Sequence, residues 1–186
     1  MGNESREGMV RSAAALIGKR GVNATSFSDV VEDSGSPRGS IYHHFPAGKA
    51  QLTEDAVRWT SERLIAHMRA GTERTPRAVM ERFFGMWRGV VVASGGSAGC
   101  VVAGVAVDTE GDGALISLVR TTFRSWVAVL AERLESAGMK KARATTLATT
   151  ALAAMEGALI LCRAEGGPGP IDTVAAEILG LVKTRR

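Results

Sequence analysis

The sequence predicts an all-α protein of about nine helices, and three observations carry that expectation. Apolar residues recur at helical spacing along most of the chain, clusters of glycine and proline punctuate it at helix-length intervals, and no two convincing strand patterns exist to pair. With 186 residues the chain can form one sizeable core or a small module joined to a larger one. A hydrophobic content of 45% and a mean hydropathy of +0.06 exclude a disordered chain. The longest apolar runs, VVVA and CVVAGVAV, read as too short to cross a bilayer, so no membrane partner is expected. The start, MGNESREGMV, lacks a basic stretch followed by an apolar segment and a cleavage site, which points to a cytoplasmic address.

Val10, Ala13, Ala14 and Ile17 form the stripe of a first helix that stops at Gly21. Ser26 three residues before Asp29 makes a variant capping box for a short second helix carrying Phe27, Val30 and Val31 and closed by Gly35. Ser36 is then expected to cap a third helix with Pro37 at its first position, because the missing proline N–H would be unpaired there anyway. In SPRGSIYHHF, Ile41 and Phe45 can point inward and leave Arg38, Ser40, Tyr42 and His43 displayed.

Pro46 and Gly48 break that pattern, and a long helix starts at Lys49 and runs through Leu52, Ala56, Trp59, Leu64 and Met68. AGTERTP separates it from a segment with Val79, Phe83, Met86, Trp87, Val90 and Val91, which SGGSAG ends. CVVAGVAVDT also suits a buried strand, and helix is preferred only because it has no partner strand. Residues 114 to 136 and 140 to 165 read as long helices, and EGGPGP precedes a last helix with Ile171, Val174, Ile178, Leu181 and Val182. Small residues crowding the last two helices suit close backbone approach, in a core or between subunits.

The net charge of +4 permits an anionic partner without proving one, since residues 1 to 60 hold seven Lys and Arg against seven Asp and Glu. The local pattern says more. Two short helices joined by a glycine-containing turn make a helix-turn-helix, whose second helix can enter the DNA major groove. Arg38 could make a bidentate contact to guanine, while the hydroxyls of Thr25, Ser36 and Ser40 stand near helix N-termini, where phosphate is favoured.

The string GVNATSFSDVVEDSGSPRGSIYHHFPAGKAQL resembles the N-terminal DNA-binding module of TetR-family repressors over residues 9 to 56. The resemblance implies phosphate contacts from Thr25, Tyr42 and Lys49, and a groove-facing set of Ser36, Pro37, Arg38, Gly39, Ser40 and His43, with Phe45 structural. Val31 stands where that family commonly has alanine. Beyond residue 56 the chain is similar to a subset of these repressors linked to drug or antibiotic export. The family implies domains at 1–50 (helix-turn-helix) and 51–186 (ligand binding and dimerisation), a homodimer through the last two helices, and double-stranded DNA with a palindromic operator as partner. It also implies a small hydrophobic effector in an apolar pocket.

Met68, Phe83, Met86, Trp87, Phe123, Trp126 and Met155 are candidates for that pocket, because sites for drug-like molecules are mainly apolar and aromatic. Glu156 joins them, since an acid on an apolar helix needs a partner or must face water. No catalytic residue, cofactor or metal site is expected. DTEGDG opens like a calcium loop, but its twelfth position is Val119, and adjacent His43 and His44 suit no shared metal. Two alternatives remain: a redox-responsive repressor using Cys100 and Cys162, and a helical hydrolase using Glu156.

Overall fold

The computed structural model describes residues 2–109 and 113–182, with side chains from Glu4 onward. It is 78% helical, with nine helices and no strand among the described residues. They are α1 (Gly2–Arg20), α2 (Phe27–Ser34), α3 (Ser40–His44), α4 (Lys49–Arg69), α5 (Pro76–Ala93), α6 (Val101–Asp108), α7 (Ala114–Ser136), α8 (Lys141–Glu165) and α9 (Gly169–Gly180). The ambiguous CVVAGVAVDT segment is helical, as α6. Glu110 and Asp112 of the DTEGDG segment lie outside the described residues.

Two compact units emerge: residues 1–63 with 99–123, and residues 64–98 with 124–186. These units are divided at other places than residue 50, where the sequence sets the expected boundary. The division runs through α4 after Arg63 and through α7 after Phe123, and α6 belongs with the N-terminal helices. Packing explains the difference, because α6 lies directly on α1. At Gly104 a Cβ would come within 2.8 Å of the Ile17 carbonyl oxygen, so the absence of a side chain sets how near the helices lie.

In the first unit α1 buries Val10, Ala13, Ala14 and Ile17, the stripe the sequence displays, together with Met9, and α2 answers with Val30 and Val31. Each large aliphatic side chain so removed from water contributes about 1.5–3 kcal/mol. The N-terminal turn of α1 is tied to α4, because Arg6 pairs with Asp55 at 2.6 Å and lies over the Phe45 ring at 5.3 Å.

In the second unit α5 starts where Thr75 accepts a hydrogen bond from the Ala78 amide at 3.2 Å and Pro76 takes the first turn. It buries Val79, Met80, Phe83, Phe84, Trp87 and Val91 and packs on α8 and α9. Both α7 and α8 are long and apolar enough to span a membrane by composition alone, contrary to the expectation from uninterrupted runs. Helices that line a core pass the same test, and α8 buries Leu147, Ala151, Met155 and Cys162 within this unit.

Candidate nucleic-acid interface

The second helix of the N-terminal unit is fixed at both ends by local chemistry. Ser26 accepts from the Asp29 amide at 3.2 Å while the Asp29 carboxylate accepts from the Ser26 amide at 2.7 Å, a reciprocal capping box. The Ser26 hydroxyl also donates to Asp29 at 2.7 Å, and Arg20 pairs with it at 2.8 Å. Donors from Ser26, and secondarily the charge of Arg20, hold the Asp29 carboxyl at about 2, well below its ordinary value. At the other end Gly35 takes φ 64°, the left-handed conformation a closing glycine allows, and its amide bonds back to Glu32.

The third helix is shorter than the sequence suggests. It spans Ser40–His44, with Gly39 rather than Ser36 at its N-cap position. Pro37 and Arg38 lead in through a turn in which the Ser40 amide bonds to the Pro37 carbonyl at 3.0 Å, and the Ser40 hydroxyl donates to that carbonyl at 2.7 Å. Gly39 disfavours continuous helix by up to about 1 kcal/mol, so the regular ladder begins only after it. Ser36 instead accepts from the Ser34 hydroxyl at 3.0 Å and from the Ser5 hydroxyl at 3.4 Å, which links the turn to α1.

Ile41 and Phe45 are each 1% exposed and anchor α3, as their four-residue spacing requires. Pro37, Arg38, Gly39 and His43 are exposed, Ser40 is half-buried, and Tyr42 is 68% exposed. Tyr42 nevertheless has a support: its ring meets the Phe27 ring edge-to-face at 5.5 Å. Lys49 is half-buried at the first position of α4. Glu32 and Arg38 border the concavity between α2 and α3, placing an acid beside the one arginine of the turn.

Thr25 departs from its expected display. It is 3% exposed, and its hydroxyl donates to the Gly21 carbonyl at 2.8 Å, so its side chain secures the connection between α1 and α2. Ser5 and Arg6 were not among the expected contributors. Their only sequence signal is a polar, charged extension ahead of the apolar stripe of α1.

The pocket candidates scatter. Met68, Phe83, Trp87, Trp126 and Met155 are buried, whereas Met86, Phe123 and Glu156 are half-buried, and Phe123 belongs to the first unit. Only Met68 and Phe83 of these eight line the cavity of about 10 Å³ in the second unit, room for one water. Cys100 and Cys162 are buried and not disulfide-bonded. Burial of both sulfurs disfavours the redox alternative, because reactive thiols are at least partly accessible.

A displayed arginine, hydroxyl, tyrosine and histidine on the turn and α3, raised on two apolar anchors, supply donors suited to phosphates and base edges. Residues 10–56 match the family described as bacterial regulatory proteins, tetR family, and residues 76–177 match the LmrA/YxaF-like transcriptional regulator C-terminal domain. An uncharacterized HTH-type transcriptional regulator of Mycobacterium tuberculosis is 34% identical over 95% of this chain and 93% of its own length. The uncharacterized regulator YxaF of Bacillus subtilis is 28% identical over 98% and 97% of the two chains. The crystal structure of a TetR transcriptional regulator from Legionella pneumophila shares the fold with a TM-score of 0.81 at 23% identity, covering 95% of this chain and 96% of that one. The chain therefore belongs to the TetR family of DNA-binding transcriptional regulators, with a C-terminal domain of the LmrA/YxaF type.

Proposed function

We propose that the protein is a cytoplasmic homodimeric repressor that binds a near-palindromic operator and is released by a small apolar or aromatic effector. The observation that carries the DNA half is the exposed face of the turn and α3, where Arg38, Tyr42 and His43 stand above buried Ile41 and Phe45. Arg38 reads guanine, Tyr42 and Lys49 meet phosphates, and two copies of α3 enter successive major grooves about 34–36 Å apart. An effector acts by binding one dimer geometry better than the other, and its differential affinity limits how far it can shift them.

The dimer face proposed is the outer side of α8 with α9. Ile160 and Leu161 are 71% and 52% exposed there, beside exposed Ala153 and Gly157, a surface of the small and apolar kind that packs helix on helix. Footprinting on inverted repeats beside the protein's own coding region tests the proposal. Protection of one near-palindrome, with two half-sites a helical turn apart, is the expected result, and no protected repeat at low salt overturns it.

A further inference from the structure

The strongest unexplained feature of the second unit is a polar cluster at the end of α4. Glu73 is shared by two arginines, with Arg133 at 3.4 Å and Arg82 at 3.6 Å. Arg82 also donates to the His67 carbonyl through Nη2 at 2.9 Å and Nε at 3.3 Å, and Arg133 Nη2 donates to the Gly71 carbonyl at 2.6 Å. Arg82 thereby satisfies a carbonyl in the last turn of α4, and Arg133 one in the turn just after it, which accounts for having an arginine at each place. They leave two things unaccounted for.

First, two guanidinium charges face one carboxylate, at long distances, with Arg133 and Glu73 only 20% and 18% exposed. Second, Arg133 Nε and His67 Nε2 are buried without a hydrogen-bond partner. An arginine Nε–H can only donate, and a buried donor left unmet is costly. Both residues line the cavity of about 10 Å³, together with Glu73, Arg82 and the apolar Met68, Val79, Phe83 and Leu130.

We infer that this cavity is an anion subsite that takes the carboxylate of an amphiphilic acid, one oxygen accepting from Arg133 Nε beside His67 Nε2. The assignment rests on the effector-responsive reading and narrows it to a ligand with an acidic head and an apolar tail. As it stands the cavity admits one oxygen-sized atom. The tail is accommodated by movement of Met68, whose unbranched side chain repacks readily. A neutral analogue cannot offset the surplus positive charge, and that is the basis of selectivity.

Calorimetric titration of the full chain with sodium octanoate, octanamide and sodium formate tests this. Octanoate is expected to bind about tenfold more tightly than octanamide, the factor a charge-assisted hydrogen bond supplies. Formate, with the head but no tail, is expected to bind more weakly than octanoate. Arg133→Gln removes the preference for octanoate, and His67→Ala, which leaves both arginines in place, reduces it should the first variant fail to fold.

Octanoate binding no better than octanamide overturns the subsite while leaving an apolar effector in place. Neither probe binding, with operator still bound, also overturns it and leaves the cluster as a clamp on α4. Loss of operator binding in wild type ends the repressor reading instead, and the contrast between the two probes still decides the subsite.

Discussion

Gly18 of α1 and Gly99, just ahead of α6, meet backbone to backbone. A Cβ on Gly18 would lie 2.6 Å from the Gly99 carbonyl oxygen, and one on Gly99 would strike the Gly18 carbonyl. Neither obstacle is a flexible side chain that could swing aside. Gly18→Ala is therefore expected to destabilise the fold by about 1–3 kcal/mol, the usual range for overpacking, despite alanine's better helix propensity. Gly8 on the same helix has nothing within 4 Å of its would-be Cβ, so Gly8→Ala serves as the control and is expected to be neutral or stabilising. Denaturant midpoints of the two variants decide the matter; equal shifts would mean that the contact does not set the packing of α1 on α6.

The Ser26 and Asp29 pair makes the first unit acid-sensitive. Asp29 is held at about 2 against an ordinary 3.8, so its folded form keeps its charge after the unfolded one takes a proton. The stability it supplies is fully present above 3.8 and is lost as pH falls toward about 2. Asp29→Asn is expected to be less stable than wild type at neutral pH, with the difference closing through that window in thermal melts. Ser26→Ala, which removes the cap, is expected to cost about 1 kcal/mol.

On the proposed reading, Arg38 and Lys49 separate sequence recognition from phosphate attraction. Arg38→Ala is expected to weaken the preferred operator relative to random duplex, by about 1–3 kcal/mol for a lost bidentate base contact. Lys49→Ala is expected to weaken all duplexes alike and to lower the salt slope by about one. Binding isotherms across a salt series distinguish these outcomes. Indistinguishable behaviour of the two variants would remove Arg38 from the groove.

The stability of the second unit is expected to depend on pH through His67. Burial, and then the charge of Arg82, hold its imidazole below the usual 6.5, with Glu73 pulling the other way. Above 6.5 both folded and unfolded forms are neutral; as pH falls below it the unfolded chain gains a proton that the folded one resists, and stability declines. His67→Gln is expected to flatten the dependence of melting temperature on pH between about 7 and 5. An unchanged slope would assign the loss to other groups.

The helix-turn-helix is legible because its signals are local. Ser26 and Gly35 bound α2 where their chemistry predicts, and Ile41 and Phe45 are buried where their spacing predicts. The start of α3 is not legible, since Ser36 and Pro37 satisfy the rules for a helix start and for a turn equally, and Gly39 tips the choice. Nor can sequence say that the Thr25 hydroxyl turns inward to Gly21. The cluster on Glu73 joins it to Arg133, 60 residues away, and no short-range pattern announces such a meeting. Its one trace is a charge at Arg133 amid Leu130, Ala131 and Leu134, all buried.

The outer face of α8 carries the last prediction. Thr145, Thr146, Thr149 and Thr150 are exposed, yet each hydroxyl donates to the carbonyl four residues back, at 2.9 to 3.2 Å. Their polar atoms are thus satisfied within the helix, and their methyl groups remain to meet a neighbour. Further along the same helix Gly157 has nothing within 4 Å of a would-be Cβ, and Ile160 is 71% exposed. A two-fold contact repeats any change, so in the proposed dimer one aspartate at Ile160 would enter the interface twice. Ile160→Asp is expected to sediment as a folded monomer with unchanged helical circular dichroism, because the site is open in the isolated chain, and to lose operator affinity with the dimer. A variant that stays dimeric at micromolar concentration would move the interface away from this face of α8.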